Sequence, residues 1–390
     1  MRPLSLAFIA DGRSPIARNW MKHFLASSHA VHLISTYACE PPSGLASFYV
    51  VPAALSGVAG ASSSGTVNSR GGLIRRLTTP KMRTWVRQWV GPLSLTRPAR
   101  LVREILQEIQ PDLVHAMRIP YEGMVAAQAN PNAPLLVSVW GNDFTLHAKS
   151  NPLMDMLTKR TLARANSLHT DCQRDLRLAY DLGFSAAKPS IVLPGAGGID
   201  PNIFYPHAKP TADPVVINPR GFRAYVRNDT FFRAIPLVLA QKPDTRFICP
   251  AMVDESVAQE WVASLGIAHA VTLLPKLAHA AMAAQFRAAA VTVSPSTHDG
   301  TPNTLLEAMA CGSFPVAGDI ESVREWIISG ENGLLFDPAD HTALAQAILQ
   351  ALDDHELIIR TRKINQKHIQ EQAIYPQVMT KAEDFYRAIL

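Results

Sequence analysis

The sequence predicts an α/β fold of two doubly wound parallel sheets in tandem. Short apolar runs alternate with helical segments from Leu4 to Leu193, a pattern that argues for parallel strands joined by helical crossovers. The same alternation restarts at Val215, after a segment punctuated by Pro194, Gly195, Gly197, Gly198, Pro201, Pro206, Pro210 and Pro214 that cannot hold a long element. A chain of 390 residues is too long for one ordinary core and suits two domains of about 150 to 200 residues. With 47% hydrophobic and 18% charged residues, the composition is that of a folded chain and excludes a disordered one. The boundary is placed at residue 200.

The first strand is expected over 4–10. It is short and Asp11-Gly12 cuts it off, so it reads as a strand and not as a secretory signal. The turn that follows, Asp11-Gly12-Arg13-Ser14-Pro15, lacks the glycine spacing with which a backbone approaches a pyrophosphate, which argues against a dinucleotide site. It still puts Gly12 and Arg13 at the strand's carboxyl end, with Arg18, Asn19 and Trp20 just inside a helix over 15–28. A second strand is expected over 30–35.

Between Glu40 and Glu104 there is no acidic residue, whereas Arg70, Arg75, Arg76, Lys81, Arg83, Arg87, Arg97, Arg100 and Arg103 account for the net charge of +5. Met82, Trp85, Val86, Trp89 and Val90 keep helical spacing, with Lys81, Arg83 and Arg87 off that stripe. A basic amphipathic helix bearing tryptophans fits a membrane interface, where each basic residue near an anionic leaflet adds about 1 kcal/mol. Peripheral contact with an anionic membrane is therefore expected through 70–103. The alternative is a stripe packed on the sheet with solvated arginines. No nucleic acid is expected, because the basic run lacks a recognised binding module. Residues 56–72, rich in Ser and Gly, read as a loop.

Further strands are expected over 112–116, 134–140, 167–170 and 190–193. His115 ends one and Trp140-Gly141-Asn142-Asp143 ends another, so these groups share the sheet edge where open α/β folds bind ligands. His115 could equally be a satisfied core histidine, and Asn142 and Asp143 could be turn formers.

In the second half, strands are expected over 215–218, 246–249, 271–274, 291–294, 314–317 and 333–336. The first ends in a basic loop carrying Arg220, Arg223 and Arg227. After 291–294, Asp299-Gly300-Thr301-Pro302 supplies a turn, a capping hydroxyl and a proline at the first helical position, and the helix should stop near Cys311-Gly312. At about 100° per residue, Pro302, Leu305, Leu306 and Met309 share one face, while Asn303, Thr304, Glu307 and Cys311 share the other. Such a helix start at a strand's carboxyl end suits a phosphate. A plain crossover with a solvated polar face remains the alternative. One helix dipole contributes about 0.3 to 1 kcal/mol, up to about 2 when partly buried, whereas micromolar to millimolar binding needs about 4 to 8 kcal/mol. A diphosphate there wants charged partners, and the arginine loop supplies them. Beyond Asp340 the chain reads as helical, broken at Tyr375-Pro376, with a final amphipathic helix. The cysteines Cys39, Cys172, Cys249 and Cys311 show no pairing or metal-ligand spacing, which suits a reducing compartment. No run approaches the roughly 20 apolar residues of a membrane span.

Asp299-Gly300-Thr301-Pro302, with Leu306-Glu307-Ala308-Met309-Ala310-Cys311-Gly312 and Pro315-Val316, resembles the E-x7-E signature of the family-4 retaining glycosyltransferases, which have the GT-B fold. Weaker similarity runs through 137–143, 194–204 and 331–336, in the expected order. The resemblance implies a central cleft between an N-terminal acceptor domain, 1–200, and a C-terminal donor domain, 201–372, with a last helix, 373–390, crossing back onto the first. Glu307 would bind the donor ribose and Asp299 would lie near the donor sugar. Arg220 or Arg223, with Arg227, would hold the diphosphate at the helix start formed by Gly300, Thr301, Pro302, Asn303 and Thr304. Catalysis would rest on Asp299, Glu307, Arg220 and Arg227. The acceptor side would use Gly12, Arg13, Arg18, His115, Trp140, Asn142 and Asp143. This chain departs from the pattern in three places. Asp299 stands where a glutamate is usual, Arg227 where a lysine is usual, and Trp140 where many members carry a histidine.

The expected activity is transfer of a hexose from a nucleotide-diphospho sugar, a UDP-sugar, to a lipid-linked or cell-envelope glycan. No cofactor and no metal are expected, in a cytoplasmic protein peripheral to the inner face of the plasma membrane. The competing readings are a nucleotide-sugar epimerase on the same fold and a non-catalytic binding subunit.

Overall fold

The computed structural model describes residues 2–53, 94–207 and 213–390. The apolar stripe 82–90, on which the membrane expectation rests, lies outside them. The chain divides into two compact units, Met1–Gly197 with Met379–Leu390, and Gly198–Val378.

The first unit holds a seven-stranded, wholly parallel sheet. Its strands are β1 (Ser5–Ala10), β2 (Ala30–Ser35), β3 (Ser47–Val50), β4 (Leu113–Ala116), β5 (Leu135–Val139), β6 (Ser167–Thr170) and β7 (Ser190–Val192). They are ordered β3-β2-β1-β4-β5-β6-β7, so the winding reverses between β1 and β4. Strand β3 escapes the sequence reading because its four residues form an incompletely buried edge with no clean alternation. Helix Pro15–Leu25 is capped by the Ser14 hydroxyl, which accepts from the Ala17 N–H. It ends before residue 28. Of the basic stretch, helix Thr96–Ile109 is described. Pro98, Ala99, Val102 and Leu106 bury one face, Arg103 donates to the Ala129 carbonyl at 2.8 Å, and Arg100 pairs with Glu104. This helix thus packs an apolar face of its own inward.

On one face of the sheet, Phe8 packs on Phe24, which stacks on Tyr386 of the terminal segment at 4.8 Å between centroids. A directional chain of hydrogen bonds runs beneath them. The His169 Nε2 lies 2.9 Å from the Leu193 carbonyl and must donate to it, so its Nδ1 accepts from the Ser138 hydroxyl at 2.8 Å. Ser138 in turn accepts from His115 Nε2 at 2.7 Å, leaving His115 Nδ1 to accept from the Tyr386 hydroxyl at 2.5 Å. The Tyr386 oxygen accepts from Trp20 Nε1 at 2.8 Å. Each ring nitrogen in this series is used once, the Ser138 and Tyr386 hydroxyls each donate one bond and accept one, and both imidazoles are neutral. Burial pushes His169 down to about 4 and His115 well below its ordinary value.

The second unit holds a six-stranded parallel sheet of β8 (Val215–Ile217), β9 (Arg246–Cys249), β10 (Val271–Leu273), β11 (Val291–Ser294), β12 (Phe314–Gly318) and β13 (Leu334–Phe336). Their order, β10-β9-β8-β11-β12-β13, reverses between β8 and β11. Helices His341–Asp353, His355–Gln372 and Tyr375–Ala388 close the chain. The helical run is interrupted between Gln372 and Tyr375, as expected, and Pro376 falls in the first turn of the last helix, where its missing N–H has no intrahelical partner to lose.

Candidate functional site

Ligands of open α/β sheets bind beyond the carboxyl ends of strands where the winding reverses. In the second unit that place lies between the loop after β8 and the loop after β11. The two loops are zipped together by backbone hydrogen bonds from Arg227 N–H to the Pro295 carbonyl at 2.8 Å and from Thr297 N–H to the Tyr225 carbonyl at 2.9 Å. Asn228 anchors the arginine loop, donating to the Gly221 carbonyl and accepting from Asn218, whose oxygen receives the Arg220 N–H. Gly318 lets β12 run close by, since a Cβ there would lie 2.5 Å from the Ser296 carbonyl oxygen.

This scaffold brings Arg220, Asp299, Thr304 and Glu307 together. Arg220 is only 7% exposed. It donates from Nη2 to Asp299 Oδ2 at 2.5 Å and from Nη1 to the Thr304 hydroxyl at 3.0 Å, and its Nε is buried without a partner. Glu307 lies partly buried one turn further along helix Asn303–Cys311. Burial pushes its carboxyl up to about 8, the Arg220 charge opposing incompletely. Burial thus favours the protonated acid, which can donate as well as accept, over the carboxylate. The Asn303 Oδ1 is buried and unpartnered at the same helix start.

Several expectations need correcting here. Pro302 is the residue before the helix, with φ −78° and ψ 99°, not its first helical residue. The Thr301 hydroxyl does not cap; it accepts from Trp326 Nε1 at 3.1 Å. Cys311 is buried with Leu305, Leu306 and Met309, because this helix is covered nearly all round. Gly300 is buried in the turn, where the Ser322 hydroxyl donates to the Asp299 carbonyl at 2.8 Å. The other two arginines do not join Arg220. Arg223 is exposed and donates to the Tyr225 hydroxyl, while Arg227 is forked onto Asp229 at 2.8 Å, the bond that raises its pKa most.

In the first unit, the loops after β1, β2, β4 and β5 enclose a hollow of about 350 Å³, lined among others by Arg13, Tyr37, Arg118, Tyr121, Glu122 and Trp140. Two smaller hollows, of about 230 and 290 Å³, surround residues 130–133 at the opposite, amino-terminal edge of the strands. Of the expected acceptor-side residues, Arg13 and Trp140 line the larger hollow and the others do other work. His115 is the satisfied core histidine described above. Arg18 donates to the Gly12 and Glu40 carbonyls at 2.6 Å and so braces the loop. Gly12 is buried where a Cβ would lie 2.6 Å from Cys39 Sγ. Asp143 is buried and accepts from Arg118 Nε at 2.8 Å and from the Ile119 and Trp140 N–H groups, which makes it a turn former and an arginine holder. Asn142 is partly buried, with its Oδ1 unpartnered. The sequence reading missed Tyr37, Arg118, Tyr121 and Glu122. The signal it had was their place directly after predicted strands.

All four cysteines are free. Although their spacing suggested no ligand cluster, folding brings ligand-type atoms of Asp171, Cys172 and Asp175 within 4.8 Å of one another. The Arg174 guanidinium sits among them, 2.7 Å from Asp175, and supplies the positive charge there. No described helix is long and apolar enough to cross a membrane.

Residues 12–195 match the family model for the glycosyl transferase 4-like domain, and residues 216–354 match the model for glycosyl transferases group 1. The chain belongs to the family-4 glycosyltransferases of the GT-B fold. It is 28% identical over 187 residues to a D-inositol 3-phosphate glycosyltransferase of Thermobispora bispora, covering 43% of this chain and 44% of that one. Over 94 residues it is 36% identical to the corresponding protein of Geodermatophilus obscurus, covering 23% and 21%. The matched stretches thus span less than half the length of these relatives. Among solved structures, this family-4 chain is similar to sucrose-phosphate synthase from Thermosynechococcus elongatus, with TM-score 0.77, 18% identity and coverage of 100% and 99%. It is also similar to Anabaena HepE in complex with UDP-glucose, with TM-score 0.72, 15% identity and coverage of 99% and 100%. These likenesses establish the fold.

Proposed function

We propose that this family-4 chain is a retaining glycosyltransferase that moves a hexose from a UDP-sugar to a lipid-linked or cell-envelope glycan. It would act in the cytoplasm at the inner face of the plasma membrane and without a metal. The observation that carries the reading is the gathering of Arg220, Asp299, Thr304 and Glu307 at one helix start, at the reversal point of the second sheet. The complexes of HepE with UDP and UDP-glucose support uridine as the base.

Transfer from a nucleotide sugar develops a cationic sugar and a departing diphosphate, so the protein's tasks are positioning and neutralising the leaving charge. Arg220 and the free N–H groups of the helix start meet the diphosphate, with Arg223 and Arg227 nearby in sequence on the same basic loop. Glu307 binds the ribose hydroxyls, and Asp299 approaches the sugar. Retention follows from front-face attack in which the leaving phosphate assists deprotonation of the acceptor, so no covalent nucleophile is assigned. A non-catalytic nucleotide-sugar-binding subunit is the second reading, favoured by the closure of Asp299 onto Arg220.

The test is a thermal-shift titration with UDP and UDP-glucose against their adenine and guanine counterparts, followed by transfer assays on a broad acceptor panel. The uridine ligands are expected to raise the melting temperature most, and Glu307→Ala and Arg220→Ala to lose more than tenfold in transfer. Losses below tenfold would overturn the site, and binding without turnover would favour the second reading.

A further inference from the structure

The hydroxyl that the sequence assigns to capping helix Asn303–Cys311 is put to a different use. Thr301 Oγ1 accepts from Trp326 Nε1 at 3.1 Å, a residue of the segment that follows β12. Pro302, the residue before the helix, makes no side-chain cap. Among the described residues, the first N–H groups of this helix with a backbone partner are those of Leu305 and Leu306, which share the Pro302 carbonyl at 2.9 and 3.2 Å. The Asn303 and Thr304 N–H groups are thus left open at the helix start, next to the guanidinium of Arg220, which donates to the Thr304 hydroxyl.

A threonine placed here has a local alternative. Its hydroxyl can accept from the N–H two residues on, closing an ST-turn over the helix start. From Thr301 that N–H belongs to Asn303, so the local bond would occupy a donor that an incoming anion needs.

The indole that holds the hydroxyl away is itself fixed. Trp326 is buried, and its carbonyl accepts from Asn332 Nδ2 at 2.8 Å. The same amide donates to Asn365 Oδ1 on helix His355–Gln372 at 3.0 Å, and Asn365 Nδ2 returns to the Asn332 carbonyl at 2.9 Å. Asn332 Oδ1 takes the Ile328 N–H at 2.7 Å. The indole also packs on the His368 ring, with 5.0 Å between centroids. The backbone of the 299–302 turn has a strap of its own in the Ser322 hydroxyl, which leaves the Trp326 bond to decide where the Thr301 hydroxyl points.

We infer that Trp326 is a positioning residue of the donor site: it holds the Thr301 hydroxyl off the helix start and so keeps the Asn303 and Thr304 N–H groups open to the diphosphate. That the guest is a diphosphate rests on the function proposed above; the direction of the hydroxyl rests on the geometry of the second unit.

The test is calorimetric titration of the full chain with UDP and with uridine. Wild type is expected to bind UDP at least tenfold more tightly than uridine. Trp326→Phe keeps an aromatic ring but removes the N–H, which releases the hydroxyl to close onto Asn303. It is expected to weaken UDP at least fivefold and to leave uridine within twofold of wild type. Trp326→Phe paired with Thr301→Val removes donor and acceptor together and leaves no hydroxyl to cap, so UDP affinity is expected to return to within threefold of wild type. Thr301→Val alone cannot cap either and is expected to stay within threefold, which keeps the test decisive if Trp326→Phe does not fold. A smaller UDP loss in Trp326→Phe, an equal loss of uridine, no recovery in the pair, or a larger loss in Thr301→Val would each overturn the role of Trp326 alone. If wild type binds UDP no more tightly than uridine, the helix start takes no diphosphate, and the donor reading falls together with this inference.

Discussion

Asp299 is one methylene shorter than the glutamate of the family signature, and its ion pair with Arg220 gives that difference a physical consequence. A buried guanidinium needs a counter-charge, and Asp299 supplies it at 2.5 Å. A diphosphate arriving at Arg220 therefore meets a carboxylate already there. Asp299→Asn is expected to raise UDP affinity at least threefold, leave uridine affinity unchanged and lower transfer; calorimetric titration of the two ligands reads the first two and an activity assay the third. Weaker UDP binding by the variant would mean that Asp299 only positions Arg220. Glu307 and Arg220 stood out in the sequence, the one on the polar face of a helix within the segment that resembles the family signature and the other on the basic loop after a strand. Their mutual burial was not legible, since solvent access depends on what the rest of the chain lays over them.

Individual elements were read best where local chemistry dictates them. Helix Asn303–Cys311 ends where expected because Gly312 adopts φ +85°, which only glycine takes without cost. The wide turn after β4 was invisible, since nothing in Arg118-Ile119-Pro120-Tyr121-Glu122-Gly123 encodes a positive φ at a tyrosine; packing enforces it. The segment Met379–Leu390 is amphipathic by sequence, but its role depends on Tyr386. Removing that hydroxyl leaves the Trp20 N–H and His115 Nδ1 buried without partners, each at about 1–3 kcal/mol. Tyr386→Phe is expected to destabilise the protein by about 2–4 kcal/mol in urea unfolding. A change under about 0.5 kcal/mol would show that water replaces the hydroxyl.

Across the molecule, the buried titratable groups set opposing pH dependences. Glu307 goes from 4.5 when unfolded to about 8 when folded, so the folded state holds an extra proton in that window and its stability falls as pH rises through it. His169 goes from 6.5 to about 4, and His115 is lowered as well, so the unfolded state binds the extra protons and stability falls as pH drops through that window. Burial alone would raise the Glu383 carboxyl, but hydrogen bonds from Arg387, His23 and His29 hold it near 2, which adds to the acid loss below its ordinary 4.5. Thermal stability is expected to peak at about pH 6.5. Scanning calorimetry from pH 4 to 9 checks this, with Glu307→Gln expected to flatten the alkaline limb; an unaltered limb would show that Glu307 is not its source.

Hydrophobic alternation, Pro/Gly punctuation and chain length were enough to establish two parallel α/β domains and nearly every strand, because these follow from near-neighbour patterns that backbone geometry imposes; the family came from the resemblance of the 299–316 segment to its signature. Which polar groups meet is a different matter. Arg220 reaches Asp299 across 79 residues and His115 reaches Tyr386 across 271, and Arg118 is aimed by a carboxylate 25 residues further along the sequence. Those pairings, the last of them between the ends of the neighbouring strands β4 and β5, depend on strand order, and strand order is fixed by the packing of whole sheets, which no local run of residues contains.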